Sequence, residues 1–504
     1  MLILDPSAVT LATFRDLWRG APARLSDASL AKIDASAAAV ARIVAGGETV
    51  YGINTGFGLL AQERIPHDRL AELQRNLILS HSCGLGEASP RHVTRLMIVL
   101  KLLGLGRGHS GVRREVVEAL QALLDADAMP VIPSQGSVGA SGDLAPLAHM
   151  TAALMGHGWI DLGGERLPAA AALERMGRAP LELGPKEGLA LINGTQFSTA
   201  LALDALFAAE RVFGAALQAG ALSVDALKGS VKPFDARISA LRGQPGQVRV
   251  AGELSRLLEG SAIVSSHHRC GRVQDPYSFR CQPQVMGAAL DLLENAARTL
   301  TIEAAAVTDN PILFSGDEGD SAISGGNFHA QPVAFAADTI TMALCEVASL
   351  SERRISVLVD PKMSGLPAFL THDGGVNSGL MIPQVTAAAL VAENRSLAFP
   401  ASVDSIPTSA GQEDHVSMAP ISGRKAATVA HNAAGVVAVE LITAAQGVDY
   451  HAPLATSPAL QALHGKVRGI SPHLEADRYW ADEMAALQAA VLDGWVSGGF
   501  LLGR

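Results

Sequence analysis

Charge and aromatic rings are both scarce in this chain: 17% of its 504 residues are charged and 4% are Phe, Trp or Tyr. So few charges cannot cover the surface of a chain this size, and much of that surface is expected to be hidden, some of it between subunits. Few rings, with Ala and Leu abundant among the 48% hydrophobic residues, argue against a sheet-based core and for closely packed helices. No run of Lys or Arg occurs and the formal net charge is −10, which excludes a basic groove for nucleic acid and points to a small molecule as ligand. The four cysteines, Cys83, Cys270, Cys281 and Cys345, are too scattered for a disulfide framework and suit reduced thiols. The opening Met1-Leu2-Ile3-Leu4-Asp5-Pro6 lacks the basic and apolar regions of a secretory signal, and no later stretch reads as apolar for long enough to span a bilayer. A cytoplasmic protein with no membrane partner is expected, in which the Asn193-Gly194-Thr195 sequon goes unused. His267-His268-Arg269-Cys270 with Cys281 fits no standard zinc spacing, so no metal is expected.

Neither a fixed-period repeat nor a low-complexity tract nor a flexible linker interrupts the chain. Residues 1–198 are broken by many Gly and Pro positions, with short helical patterns at Asp68 to Leu79 and His92 to Leu103. From 199 onward the patterns lengthen: Ala200 to Leu222, Val285 to Val307, Val333 to Val359, Val385 to Leu397, Ala426 to Ala445 and Ala481 to Val496 all carry helical apolar spacing. The expectation is a mostly α protein, with a head at 1–198 and a long-helix bundle at 199–504. Bundles place functional groups where helix ends and connecting loops converge.

One tripeptide can convert itself into an electrophile. In the run Gly136 to His149, Gly142 has no Cβ, so its nitrogen can be bent onto the Ala140 carbonyl, and loss of the Ser141 hydroxyl leaves an exocyclic double bond. The product is a 4-methylidene-imidazol-5-one, electron-poor at the methylidene carbon and open to attack by an amine. Read plainly, the same stretch is a Gly/Ser turn before a helix with Asp143 as its N-cap. Other segments are ordinary when taken alone. Tyr51 sits in a Gly-rich stretch, Tyr51 to Gly58, without phosphate-loop spacing. Arg280 offers a bidentate fork to a carboxylate, Asn193-Gly194 is a turn signal, Phe328 reads as a core ring in a loop, and His81 and Glu413 read as a structural histidine and a surface glutamate.

Together, these segments resemble the aromatic amino acid lyase family, which includes ammonia-lyases acting on histidine, phenylalanine and tyrosine, and the resemblance covers most of the chain. Gly136 to His149 resembles the family hallmark, and Gln274-Asp275-Pro276-Tyr277-Ser278-x-Arg280-Cys281-x-Pro283-Gln284 matches the family pattern at every fixed position. The resemblance implies a head carrying the self-made ring on a long helical bundle, related to fumarase-type lyases at the level of the bundle only. It implies a homotetramer with active sites built from several subunits, and helix N-termini aimed at the ring to stabilise negative charge. No external cofactor is implied.

Residue by residue, the resemblance implies that Ala140, Ser141 and Gly142 form the ring. Tyr51 sits on a lid loop and removes the substrate β-proton, its phenol lowered from about 10 by a cationic or dipolar environment. Arg280 binds the substrate carboxylate with Gln274 and Tyr277 in support, Asn193 bonds the ring and helps hold the substrate, and Phe328 lies beside the ring. His81 disfavours phenylalanine. Gln412-Glu413-Asp414-His415-Val416-Ser417-Met418 resembles the histidine-acting members, and a carboxylate at Glu413 is a physical partner for an imidazole N–H or imidazolium. Departures from the pattern are Gly411 and Ser82-Cys83. The implied reaction converts L-histidine to trans-urocanate and ammonia, with attack on the ring by either the amine or the imidazole. The rivals are a tyrosine ammonia-lyase, an aminomutase on the same scaffold, and a non-catalytic helical assembly protein, which would show no dehydration mass change.

Overall fold

The computed structural model describes residues 1–46, 55, 65–266, 273–316 and 319–503. Helices account for 62% of the chain, as expected from its scarcity of rings. All six long patterns form helices, at Gln196–Leu227, Gln282–Glu303, Gln331–Val359, Met381–Leu397, Ala419–Asp449 and Ala481–Leu492. Their interiors are built from small and branched aliphatics: Ala433, Ala434, Val436, Val437, Ala438 and Val439 are all fully buried, and such side chains let backbones pack closely.

Gln331–Val359 and Ala419–Asp449 are long and apolar enough, by length and composition, to cross a membrane. This corrects the reading that no stretch stays apolar for that length. Buried residues make up 67% and 83% of their most apolar windows. A helix hydrophobic on all sides is accounted for when neighbouring elements of its own chain surround it.

The chain divides into two compact units, the first made of Met1–Asp204, Arg298–Ala337 and Pro400–Arg424, the second of Ala205–Ala297, Asp338–Phe399 and Lys425–Arg504. Two segments distant in sequence thus join the residues expected to form the head, and specific contacts fix them there. Leu313 packs with Val40 and Ile43, Gln331 Nε2 donates to Ser402 O at 2.8 Å, and Met418 N donates to Val138 O at 2.9 Å. Within the first unit, Arg91–Leu105 is buried almost throughout, and Leu70–His81, Leu144–Leu154 and Glu187–Ile192 pack on one another. The strands are short; the largest sheet pairs Trp159–Leu162 antiparallel with both Met129–Pro130 and Glu165–Pro168.

In the second unit, Arg354 and Glu440 form an ion pair with both side chains fully buried. Arg354 Nη2 donates to one carboxylate oxygen at 2.8 Å, and the Ser223 and Ser351 hydroxyls donate at 2.7 and 2.6 Å. Pairing and these hydrogen bonds offset the cost of taking both charges out of water, although Arg354 Nη1 is buried without a partner among the described residues.

Candidate active site

The turn at 139–142 is bent into an unusual backbone conformation. Gly139, Ser141 and Gly142 have φ of +84°, +51° and +82°, a region that costs a non-glycine residue energy and that concentrates at functional sites. Gly142 N donates back to Gly139 O at 3.2 Å, and Asp143 N donates to Gly194 O at 2.8 Å. Gly142 and Gly194 bridge in parallel. A Cβ at Gly142 would stand 2.8 Å from Gly194 C and 2.9 Å from its N, and closer still to its O, so this approach requires glycine.

Asn193 anchors the turn from the other strand. Its Nδ2 donates to Ser141 O at 2.7 Å, while its Oδ1 is buried and has no hydrogen-bond partner among the described residues. Asp143 occupies the expected N-cap position of Leu144–Leu154, but its side chain makes no cap bond. Its carboxylate instead accepts from Ser198 N at 2.7 Å and Ser198 Oγ at 2.6 Å, and burial pushes it up to about 6.

A cavity of about 880 Å³ opens on this turn. Leu77 and His81 line it from the end of Leu70–His81, Leu189, Ile192 and Asn193 from the end of Glu187–Ile192, and Asn310, Phe328 and His329 from a later loop. The last wall is the loop carrying Ser409, Ala410 and 412–415. Ser409 and Ala410 both have left-handed φ, +49° and +56°, and Thr408 N closes the loop on Glu413 O at 2.9 Å. Glu413 Oε2 is buried with no partner among the described residues. Ser80 Oγ donates to Leu77 O at 3.1 Å and lies 3.0 Å from His81 Nδ1. Burial holds His81 below the usual imidazole range, hence neutral.

The profile of the aromatic amino acid lyase family matches residues 9–469. The chain belongs to the aromatic amino acid lyase family. A curated relative, histidine ammonia-lyase of Burkholderia pseudomallei (strain 668), is 58% identical over 492 residues, 97% of each chain. Among solved structures, histidine ammonia-lyase from Trypanosoma cruzi is 40% identical with a TM-score of 0.91, over 98% of this chain and 94% of that one. Tyrosine aminomutase from Streptomyces globisporus is 35% identical with a TM-score of 0.93, over 98% and 97%.

Against that family pattern, the cavity of this lyase brings together His81, Ala140, Ser141, Asn193, Phe328 and Glu413, and Gly142 closes the turn that carries Ala140 and Ser141. Tyr51 and the segment His267 to Cys270 lie outside the described residues. Gln274, Tyr277 and Arg280 belong to the second unit. There Tyr277 is 72% exposed, the Arg280 guanidinium stacks on its ring at 4.4 Å, and Arg280 Nε is buried without a partner among the described residues. The cavity also holds residues to which sequence reading gave no role. His329 and His415 stack at 5.7 Å, and His329 Nε2 donates to His415 O at 3.3 Å. Asn310 donates to Ser324 Oγ at 3.1 Å and accepts from Gly325 N at 2.7 Å, which pins the loop carrying Phe328. His415 lies inside the segment Gln412 to Met418 and His329 directly follows Phe328; Asn310, in an Asn-Pro dipeptide, reads only as a turn.

Proposed function

We propose that this lyase eliminates ammonia from L-histidine to give trans-urocanate, using an electrophile made from Ala140, Ser141 and Gly142. The observation that carries the reading is the Glu413 carboxylate in the same cavity as Ser141, with a buried oxygen that has no donor among the described residues. A buried acceptor without a donor is costly, and an imidazole N–H or imidazolium removes that cost where a phenyl ring cannot. Neutral His81 adds a second polar group that disfavours phenylalanine. The names of the 58%-identical and 40%-identical relatives support the same substrate.

The turn suits the ring. Three left-handed residues and a Cβ-free Gly142 meet what closure of Gly142 N on the Ala140 carbonyl carbon demands. One water leaves on that closure and a second carries off the Ser141 hydroxyl and α-hydrogen, so the chain becomes about 36 Da lighter. The ring supplies an electrophilic carbon for the amine or the imidazole of the substrate. Asn193 Nδ2, 2.7 Å from Ser141 O, stabilises negative charge on that oxygen. Tyr51 takes the β-proton, Arg280 clamps the carboxylate with Gln274 and Tyr277 in support, and Phe328 packs beside the turn. The chain works as a homotetramer with shared active sites, a reading that the exposure of Tyr277 and the low charge content support.

The test offers purified protein L-histidine, L-tyrosine and L-phenylalanine separately and follows the ultraviolet growth of each conjugated acid, with Ser141→Ala alongside. Urocanate from histidine alone, lost in Ser141→Ala, is the expected result. Coumarate as the main product overturns the substrate, a β-amino acid product makes the chain an aminomutase, and no product from any substrate overturns the enzyme reading.

A further inference from the structure

Beneath the turn lies a charged side chain that the reaction as described does not use. Lys101 sits in the buried helix Arg91–Leu105 and is 1% exposed. Its Nζ donates to Ala190 O at 3.1 Å and to Asn193 O at 2.9 Å. These are carbonyls at the C-terminal end of Glu187–Ile192, where a helix runs out of intrahelical donors. Asn193 is already extended there, with φ −89° and ψ 135°, so the carbonyl of Ala190 has lost its helical continuation. An ammonium supplied from another helix both satisfies that end and suits its dipole. The lysine terminates the helix at the residue where the chain must turn toward Ser141.

Asn193 is then held between two bonds. Its carbonyl is fixed by Lys101 on one side, and its amide reaches Ser141 O on the other. The next residue, Gly194, takes the bond from Asp143 N. The segment 193–194, which bonds both Ser141 and Asp143, is therefore held in part by Lys101 Nζ. Nearby, Lys186 is fully buried and paired with Asp309 at 3.1 Å, beside Asn310 on the cavity wall. Burial pushes Lys101 down to about 7, with Asp309 and Asp143 opposing the fall and Lys186 adding to it. A hydrophobic residue at 101 would avoid that cost, so a donor to these carbonyls is kept against a penalty.

We propose that Lys101 is a positioning residue: by holding the Asn193 carbonyl, it places the Asn193 amide on Ser141 and keeps the Ala140-Ser141-Gly142 turn in its reactive shape. The inference rests on the proposed function, since it concerns formation and use of the same electrophile. Lys101 itself touches no substrate.

The test compares wild type, Lys101→Met and Lys101→Gln by circular dichroism, intact mass and steady-state kinetics with L-histidine. A folded Lys101→Met chain should show a smaller fraction carrying the loss of about 36 Da. Its kcat should fall about 10²-fold while KM stays within about threefold, because a misplaced turn impairs chemistry more than binding. A Met variant that folds, dehydrates fully and turns over at the wild-type rate overturns the proposal. Should Lys101→Met not fold, Lys101→Gln, whose amide nitrogen ends one bond short of the place of Lys101 Nζ on the Asn193 carbonyl, is read in the same way. A folded Gln variant with wild-type dehydration and kcat also overturns it, and failure of both variants to fold makes Lys101 a folding residue and nothing more. A wild-type chain lacking the mass loss sinks the underlying function instead, and that outcome is visible before any variant is made.

Discussion

Replacing Gly142 with alanine should damage the turn in two separable ways. The first is backbone strain: φ is +82° there, and an L-residue in the left-handed region costs about 1–2 kcal/mol. The second is collision. The new Cβ would stand 2.8 Å from Gly194 C, against about 3.5–4.0 Å for an ordinary carbon contact, so the two strands must part by roughly 0.7 Å or more. That movement stretches the bonds from Asp143 N to Gly194 O and from Asn193 Nδ2 to Ser141 O, now 2.8 and 2.7 Å. Breaking one buried bond adds about 1–3 kcal/mol, for a total near 2–5 kcal/mol. Gly164 provides the control: its φ is +84°, it is exposed, and nothing lies within 4 Å of its ideal Cβ. Gly164→Ala should therefore show the strain alone, about 1–2 kcal/mol. Urea denaturation of both variants under one set of conditions measures the difference, and intact mass reports whether the turn still loses two waters. A Gly142→Ala chain no less stable than Gly164→Ala, and fully dehydrated, would refute the claim that close packing on Gly194 shapes the turn.

Two further outcomes are accessible with simple variants. Glu413→Gln should lower kcat/KM for L-histidine by roughly 10–100-fold, the value of a hydrogen bond to a charged group, while sparing any residual turnover of L-tyrosine; equal losses on both substrates would remove Glu413 from the selection of histidine. In the second unit, Asp449 accepts from His464 Nε2, His473 Nδ1 and Arg468 Nη2 at 2.6–2.7 Å. Burial alone would raise its pKa, but these three partners bring it down to about 2. A depressed carboxylate contributes stability above its unfolded value near 4, and that stability is lost as pH falls from about 4 to about 2. Asp449→Asn should thus be less stable than wild type at pH 7 by about 2 kcal/mol, with the gap closing toward pH 2; a gap that does not change with pH contradicts the charge network.

What the residues disclosed in advance follows a physical division. The long helices were legible because a 3.6-residue apolar period persists across many turns, and Gln196–Leu227 extends only a few residues beyond the pattern that predicts it. Ser141, Asn193, Phe328 and Glu413 were legible only through their motifs, since no periodicity brings four loops to one cavity. Two things stayed hidden for opposite reasons. The membrane-length apolarity of Ala419–Asp449 was missed because Arg424 and Lys425 stand near its start and break the run to the eye. Lys101 was missed because a lone lysine in an apolar helix reads as the solvent-facing break in the stripe. Its partners are carbonyls 89 and 92 residues away, and backbone carbonyls leave no mark in a sequence: any residue there supplies the same acceptor. A buried lysine on backbone oxygens is thus invisible to motif reading at either end, and such a group can support a catalytic turn without resembling a catalytic residue.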